Sequence, residues 1–278
     1  MEKHRPKKAL GQNFLTDRSV VDRIAHLVER GADSRILEVG PGRGALTRLL
    51  AEEGARVVAI EIDRQLVPLL EREFAGSGTV EIVQADILKV DLPELLLPRW
   101  GGLWQVAANL PYNISTPVLF RFLDHRALFS RLVLMLQKEV GERLVAHPGG
   151  KEYGILSVFF QLHFDITRAF VVKPGSFYPV PKVDSVVLTF VPLPAPRCEV
   201  ADEPFFRRVV KAAFGQRRKT LWNCLKSLNL GLEDRELGEA LAGCGIDGVR
   251  RGETLSLEEF VALAGGLAKV IPPGKRVE

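Results

Sequence analysis

Cysteine is scarce in this chain. Three in 278 residues, Cys198, Cys224 and Cys244, stand at no metal-ligand spacing. That excludes a disulfide framework and a structural zinc site, and it suits a reducing compartment. Long apolar runs are missing as well. None approaches the roughly 20 residues that cross a bilayer. None follows the N-terminal charges as the core of a secretory signal would, so a cytoplasmic protein away from membranes is expected. Internal repeats and low-complexity stretches are absent. A large charge imbalance is lacking too, since the net charge is only +4.

The basic residues are nevertheless unevenly placed. Lys3, Arg5, Lys7 and Lys8 crowd the N-terminus, and residues 201–230 carry a net +5. The second cluster comprises Arg207, Arg208, Lys211, Arg217, Arg218, Lys219 and Lys226. Such clusters fit a polyanion held by two parts of the molecule, although a solvated charged face would look the same.

A composition of 46% hydrophobic and 26% charged residues is that of a globular protein, and the length suits one large domain and one small. Strand-like apolar runs fall at 35–39, 56–60, 80–84, 103–108 and 131–136. Helical patterns lie between them at 44–53, 64–74 and 115–124. This alternation predicts right-handed βαβ units and a mostly parallel sheet covered on both faces. Further helices are expected at 139–146 and 154–162, and two late strands at 166–172 and 184–191. The proline-rich stretch 191–196 marks a boundary, giving a catalytic domain over 1–195 and a helical domain over 196–278.

The organising stretch is Ile36-Leu37-Glu38-Val39-Gly40-Pro41-Gly42-Arg43-Gly44-Ala45. A buried strand running into glycines and then a helix is built to hold a nucleotide-like ligand against backbone. It also satisfies the dinucleotide fingerprint, so a hydride-transfer enzyme stays open at this point. Glu61 ends the next strand, where a carboxylate can accept both ribose hydroxyls of either ligand class. Asp86 ends the third and suits an adenine amino group. Asp63 reads as a helix cap.

The fourth strand ends in Asn109-Leu110-Pro111-Tyr112, which resembles the [DNS]-P-P-[FYW] turn of methyltransferases acting on amines conjugated to a ring. An exocyclic adenine nitrogen is a poor nucleophile because its lone pair is delocalised. The Asn109 side-chain oxygen and the Leu110 carbonyl can hold its two N–H groups, and Tyr112 offers a stacking face. Hydride transfer needs no such turn.

Several longer signatures accompany it: Gly11-Gln12-Asn13-Phe14-Leu15, Met135-Leu136-Gln137-Lys138-Glu139-Val140, Tyr153-Gly154-Ile155-Leu156-Ser157, Lys173 to Ser185, and Phe214 to Leu221. With these the chain, over about residues 8–268, resembles the bacterial small-subunit ribosomal RNA adenine dimethyltransferases. The resemblance implies a Rossmann-like methyltransferase sheet of about seven strands with a smaller all-α C-terminal domain. It implies S-adenosylmethionine as methyl donor and no metal. The substrate would be two adjacent adenosines near the 3′ end of small-subunit rRNA, met during subunit biogenesis by a monomeric enzyme. By position, Asn13, Leu15, Gly40, Glu61, Asp86 and Asn109 would hold the cofactor. Asn109, Leu110, Tyr112 and Phe177 would hold the target base, with Phe177 stacking on it. Arg207, Arg208, Lys211, Arg217, Arg218 and Lys219 would meet RNA phosphates. Two alternatives are a large-subunit rRNA adenine methyltransferase of the macrolide-resistance type and an RNA-binding ribosome-assembly factor.

Overall fold

A computed structural model describes residues 5–216 and 218–271. Chain order runs β1 (Phe14–Leu15), α1 (Arg18–Ala25), β2 (Arg35–Val39), α2 (Ala45–Leu50), β3 (Arg56–Glu61), α3 (Val67–Phe74), β4 (Val80–Gln84), α4 (Leu92–Leu96), β5 (Trp104–Asn109) and α5 (Ser115–Asp124). It continues with β6 (Phe129–Gln137), α6 (Lys138–Leu144), α7 (Ile155–His163), β7 (Phe164–Val172), β8 (Phe177–Tyr178) and β9 (Ser185–Pro192). The last helices are α8 (Glu203–Gly215), α9 (Leu221–Lys226), α10 (Asp234–Gly243) and α11 (Leu257–Val270).

Seven strands form one sheet in the order β4-β3-β2-β5-β6-β9-β7. Strands β4 to β6 of that order are parallel, and β9 joins β6 antiparallel. The expected mostly parallel sheet is therefore present, with the late strands completing one side. In β3, Val57, Val58, Ala59 and Ile60 are all buried, as a central parallel strand covered on both faces requires. Helix α1 starts where Asp17 accepts the Ser19 N–H, and its Val20, Val21, Ile24 and Ala25 form a buried stripe. That stripe packs with Ile36, Leu46, Leu50 and Val57 in one apolar cluster.

Two compact units result, one from residues up to Gly141 together with Asp165–Pro192, the other from Glu142–Phe164 together with the chain beyond Leu193. The helical unit thus takes residues 142–164, which the sequence reading assigned to the sheet domain. Its apolar contacts explain why: Phe159 of α7 lies 6.2 Å from Phe206 of α8, and Tyr153 lies 5.9 Å from Phe214. Within this unit α8 buries Phe205, Phe206, Val209, Val210 and Ala213. Helix α11 opens with the reciprocal Ser256–Glu259 cap that its sequence predicts.

Candidate cofactor and target-base site

Strand order reverses between β2 and β5, the place where open α/β sheets bind ligands at their carboxyl ends. A candidate site residue stands at each neighbouring strand end: Asp86 just past β4, Glu61 on β3, Gly40 past β2 and Asn109 on β5. At about 4.8 Å per strand, this row spans roughly 14 Å, the scale of a nucleoside carrying an amino-acid chain. All four line a single cavity, together with Asn13, Leu15, Leu110 and Tyr112.

The glycine loop is shaped by what its residues lack. Gly40 and Gly42 adopt φ of 71° and 59°, and a Cβ on Gly42 would stand 2.9 Å from the Phe14 ring. A Cβ on Gly40 would meet nothing within 4 Å, so the backbone there faces open space. The Gly42 N–H donates to Glu61 Oε2 at 3.2 Å, and the Asp63 N–H donates to Glu61 Oε1 at 2.8 Å. Each oxygen keeps a further acceptor site, enough for two ribose hydroxyls. Burial raises the Glu61 pKa above the usual carboxylate range, against the pull of those two N–H donors. Asp86 uses Oδ1 to accept the Leu88 N–H at 2.9 Å, closing its turn.

Glu38 is a site residue to which the sequence reading gave no role. It lies on β2 among Ile36, Leu37 and Val39, buried, and it lines the same cavity. Burial, with the nearby Glu61 charge adding to it, pushes its carboxyl up to about 8. Its Oε2 has no hydrogen-bond partner among the described residues. The available signal was a lone acid inside a strand otherwise apolar enough to be buried.

On the other flank, Asn109 Nδ2 donates to the Asn13 carbonyl at 3.1 Å. A carbonyl can only accept, so the amide orientation is fixed and Oδ1 is left as an acceptor. The next acceptor is the Leu110 carbonyl, which receives no backbone hydrogen bond among the described residues. Tyr112 has its hydroxyl tied to Ser185 Oγ at 2.7 Å, which holds the ring beside these two acceptors.

Phe177 does not join them. It is 2% exposed and packs in the apolar cluster with Val21 and Ile24, because β8 pairs antiparallel with β1, matching Leu15 to Phe177. Strand alternation turns it inward and leaves Tyr178 outward, 57% exposed. The expected stacking role for Phe177 is therefore corrected: its ring is core.

The basic set in the helical unit divides similarly. Arg207 donates to Glu203 one turn earlier at 2.9 Å and lies over the Phe159 ring at 5.7 Å, so its guanidinium is engaged locally. Arg208 is half-buried, whereas Lys211, Arg218 and Lys219 are exposed. Arg217 lies outside the described residues.

A family model described as ribosomal RNA adenine dimethylase matches residues 3–264. A ribosomal RNA small subunit methyltransferase A of Geobacter metallireducens is 66% identical over 94% of each chain. One of that name from Syntrophotalea carbinolica is 54% identical over 97% of this chain and 98% of its own. Among solved structures, a dimethyladenosine transferase from Plasmodium falciparum superimposes with a TM-score of 0.74 at 25% identity, covering 90% of this chain and 95% of that one. The 23S rRNA methyltransferase ErmE does so with 0.69 at 25% identity, covering 92% and 100%.

Proposed function

The chain belongs to the ribosomal RNA adenine dimethylase family and is an S-adenosylmethionine-dependent methyltransferase of adenines in small-subunit ribosomal RNA; from that premise we propose how its own residues carry the reaction. The observation that carries the reading is the pair of acceptors, Asn109 Oδ1 and the Leu110 carbonyl, fixed at the edge of a cavity lined by Glu61 and Asp86.

S-adenosylmethionine fits the residues present. Glu61 would take the ribose hydroxyls, Asp86 the adenine amine, and the open backbone at Gly40 the amino-acid end. The unpartnered Oε2 of Glu38 suits a cationic group such as the methionine ammonium. Asn13 and Leu15 close the cavity from the N-terminal side. When bound, the cofactor supplies an electrophilic methyl group on a sulfonium.

The chain's task is then positioning. The target adenosine leaves its stack and enters beside the Tyr112 ring. Asn109 Oδ1 and the Leu110 carbonyl accept its two amine hydrogens, localising the nitrogen lone pair and aiming it. No general base is required, because the amine becomes acidic only as its new bond forms and its proton can leave to water. Catalysis rests on orientation and fixed dipoles. Two adjacent adenosines near the 3′ end of the RNA, each dimethylated by a cytoplasmic monomer, are the proposed substrate and setting.

Exposed cations in the helical unit would hold phosphates without reading sequence. Reversing Arg218 and Lys219 to glutamate together is expected to weaken RNA binding. The slope of log affinity against log salt should fall by about 2, with cofactor affinity unchanged. A filter-binding salt titration measures this, and an unaltered slope would remove both residues from the interface.

The large-subunit reading shares the fold, as the ErmE superposition shows, while the relatives more than half identical are small-subunit enzymes. Labelled methyl transfer to undermethylated small and large subunits, followed by nucleoside analysis, tests the assignment. Dimethyladenosine in small-subunit RNA alone is the expected result, and label in large subunits alone would overturn it.

A further inference from the structure

Asp63 does more than begin a turn. It is 1% exposed, and its Oδ1 accepts the Gln65 N–H at 3.0 Å, as a cap would. The same carboxylate also accepts Lys7 Nζ at 2.6 Å and Gln12 Nε2 at 2.9 Å. Gln12 Oε1 in turn accepts the Lys7 N–H at 2.7 Å, so the N-terminal arm is folded on itself and fastened at this one buried acid. The arm is also seated tightly on the target-base turn. A Cβ on Gly11 would stand 2.4 Å from Asn113 Oδ1 and 3.5 Å from Pro111 Cβ. One residue beyond Gln12, the Asn13 carbonyl holds the Asn109 amide.

These contacts form one continuous chain. From Asp63 it passes through Gln12 and Asn13 to Asn109, and through the Asp63 N–H to Glu61 Oε1. We propose that Asp63 is a positioning residue for methyl transfer: by fastening the arm through Lys7 and Gln12 it holds the Asn13 carbonyl where it orients the Asn109 amide, and through its N–H it orients the Glu61 carboxylate. No group on Asp63 reacts. Its role is to tie the acceptor for the target amine to the acceptor for the cofactor ribose. Without the arm in place Asn109 can turn its amide over, presenting a donor to a nitrogen that needs an acceptor.

The proposal rests on the function reading above, and wild-type methyl transfer to small-subunit RNA separates the two. A wild-type enzyme without that activity refutes the function. An active enzyme that ignores the arm refutes only the role of Asp63. The test is a double-mutant cycle on single-turnover rate at saturating cofactor. Asp63→Asn keeps an acceptor for the Gln65 cap but weakens the hold on Lys7, and Gln12→Leu cuts the link between acid and arm. Each is expected to lower the rate about tenfold in the wild-type background, a loss of about 1.4 kcal/mol. In an Asn109→Ala background each should cost less than about twofold, because no amide remains to orient. A merely structural role would cost the same in both backgrounds, and that additivity would overturn the proposal, as would an undiminished rate in wild type. Gln12→Leu lies on a partly exposed segment and carries the test alone if Asp63→Asn does not fold.

Discussion

Replacing Asn109 by alanine is expected to slow methyl transfer by about 10²–10³-fold, the loss typical when one preorganised polar group is removed from a transition-state site. The turn explains why the effect falls on the chemical step. Nδ2 is committed to the Asn13 carbonyl, and Oδ1 is one of the two acceptors proposed to hold the adenine amine. The other, the Leu110 carbonyl, survives the substitution, so some orientation of the base remains. RNA affinity should stay nearly constant, because the cations proposed to hold RNA, the exposed Lys211, Arg218 and Lys219, belong to the helical unit. Asn109→Asp sharpens the reading. It preserves an acceptor but turns a carboxylate oxygen against the Asn13 carbonyl, so it too should be slow. Single-turnover transfer to undermethylated subunits with parallel binding measurements decides the matter. Unchanged turnover by Asn109→Ala would remove the residue from the mechanism.

The second large effect concerns Glu38. Burial raises its carboxyl from the ordinary 4.5 to about 8, with the Glu61 charge as a smaller contribution in the same direction. An acid whose folded pKa lies above its unfolded value keeps its proton in the fold. Its contribution to stability is full below pH 4.5 and is lost as pH rises through 8. At 1.36 kcal/mol per unit, the loss across that window is on the order of 5 kcal/mol. Urea unfolding of the cofactor-free protein at pH 5 and at pH 8.5 should show it, and Glu38→Gln should flatten the dependence. A wild-type protein equally stable at both values would contradict the burial argument. Bound cofactor should also reduce the loss, since the methionine ammonium proposed to lie beside Oε2 would favour the ionised form.

Much of this architecture is written locally. Strands β3 and β5 are largely apolar runs that a sheet covered on both faces accommodates, and their polar ends Glu61 and Asn109 fall at the carboxyl edge. The capping box of α11 and the Asp17 cap of α1 are equally readable. What escaped reading depends on partners distant in the chain. The pairing of β1 with β8 joins residues more than 160 apart, and only that pairing decides which of Phe177 and Tyr178 is core. In sequence the Gly/Pro-rich surroundings favour a base-stacking role for Phe177. Asp63 shows the same limit, because a cap and an anchor for a remote arm have one local signature. Arg207 reads in sequence as a phosphate contact, although Glu203 stands four residues before it on a helix, the spacing of the ion pair it makes. Helix α4 is not among the expected helices, although its start carries a local signature, with Asp91 accepting the Glu94 N–H and Pro93 in the first turn.

The chain passes between its two units three times, near residues 141, 164 and 192. A stop codon after Pro192 would therefore not release a clean catalytic fragment. It would leave α7 behind without α8, whose Phe206 lies against Phe159. Exchanging the helical unit between relatives, in the laboratory or by recombination, would require moving two separated pieces of gene at once. One crossover does not suffice.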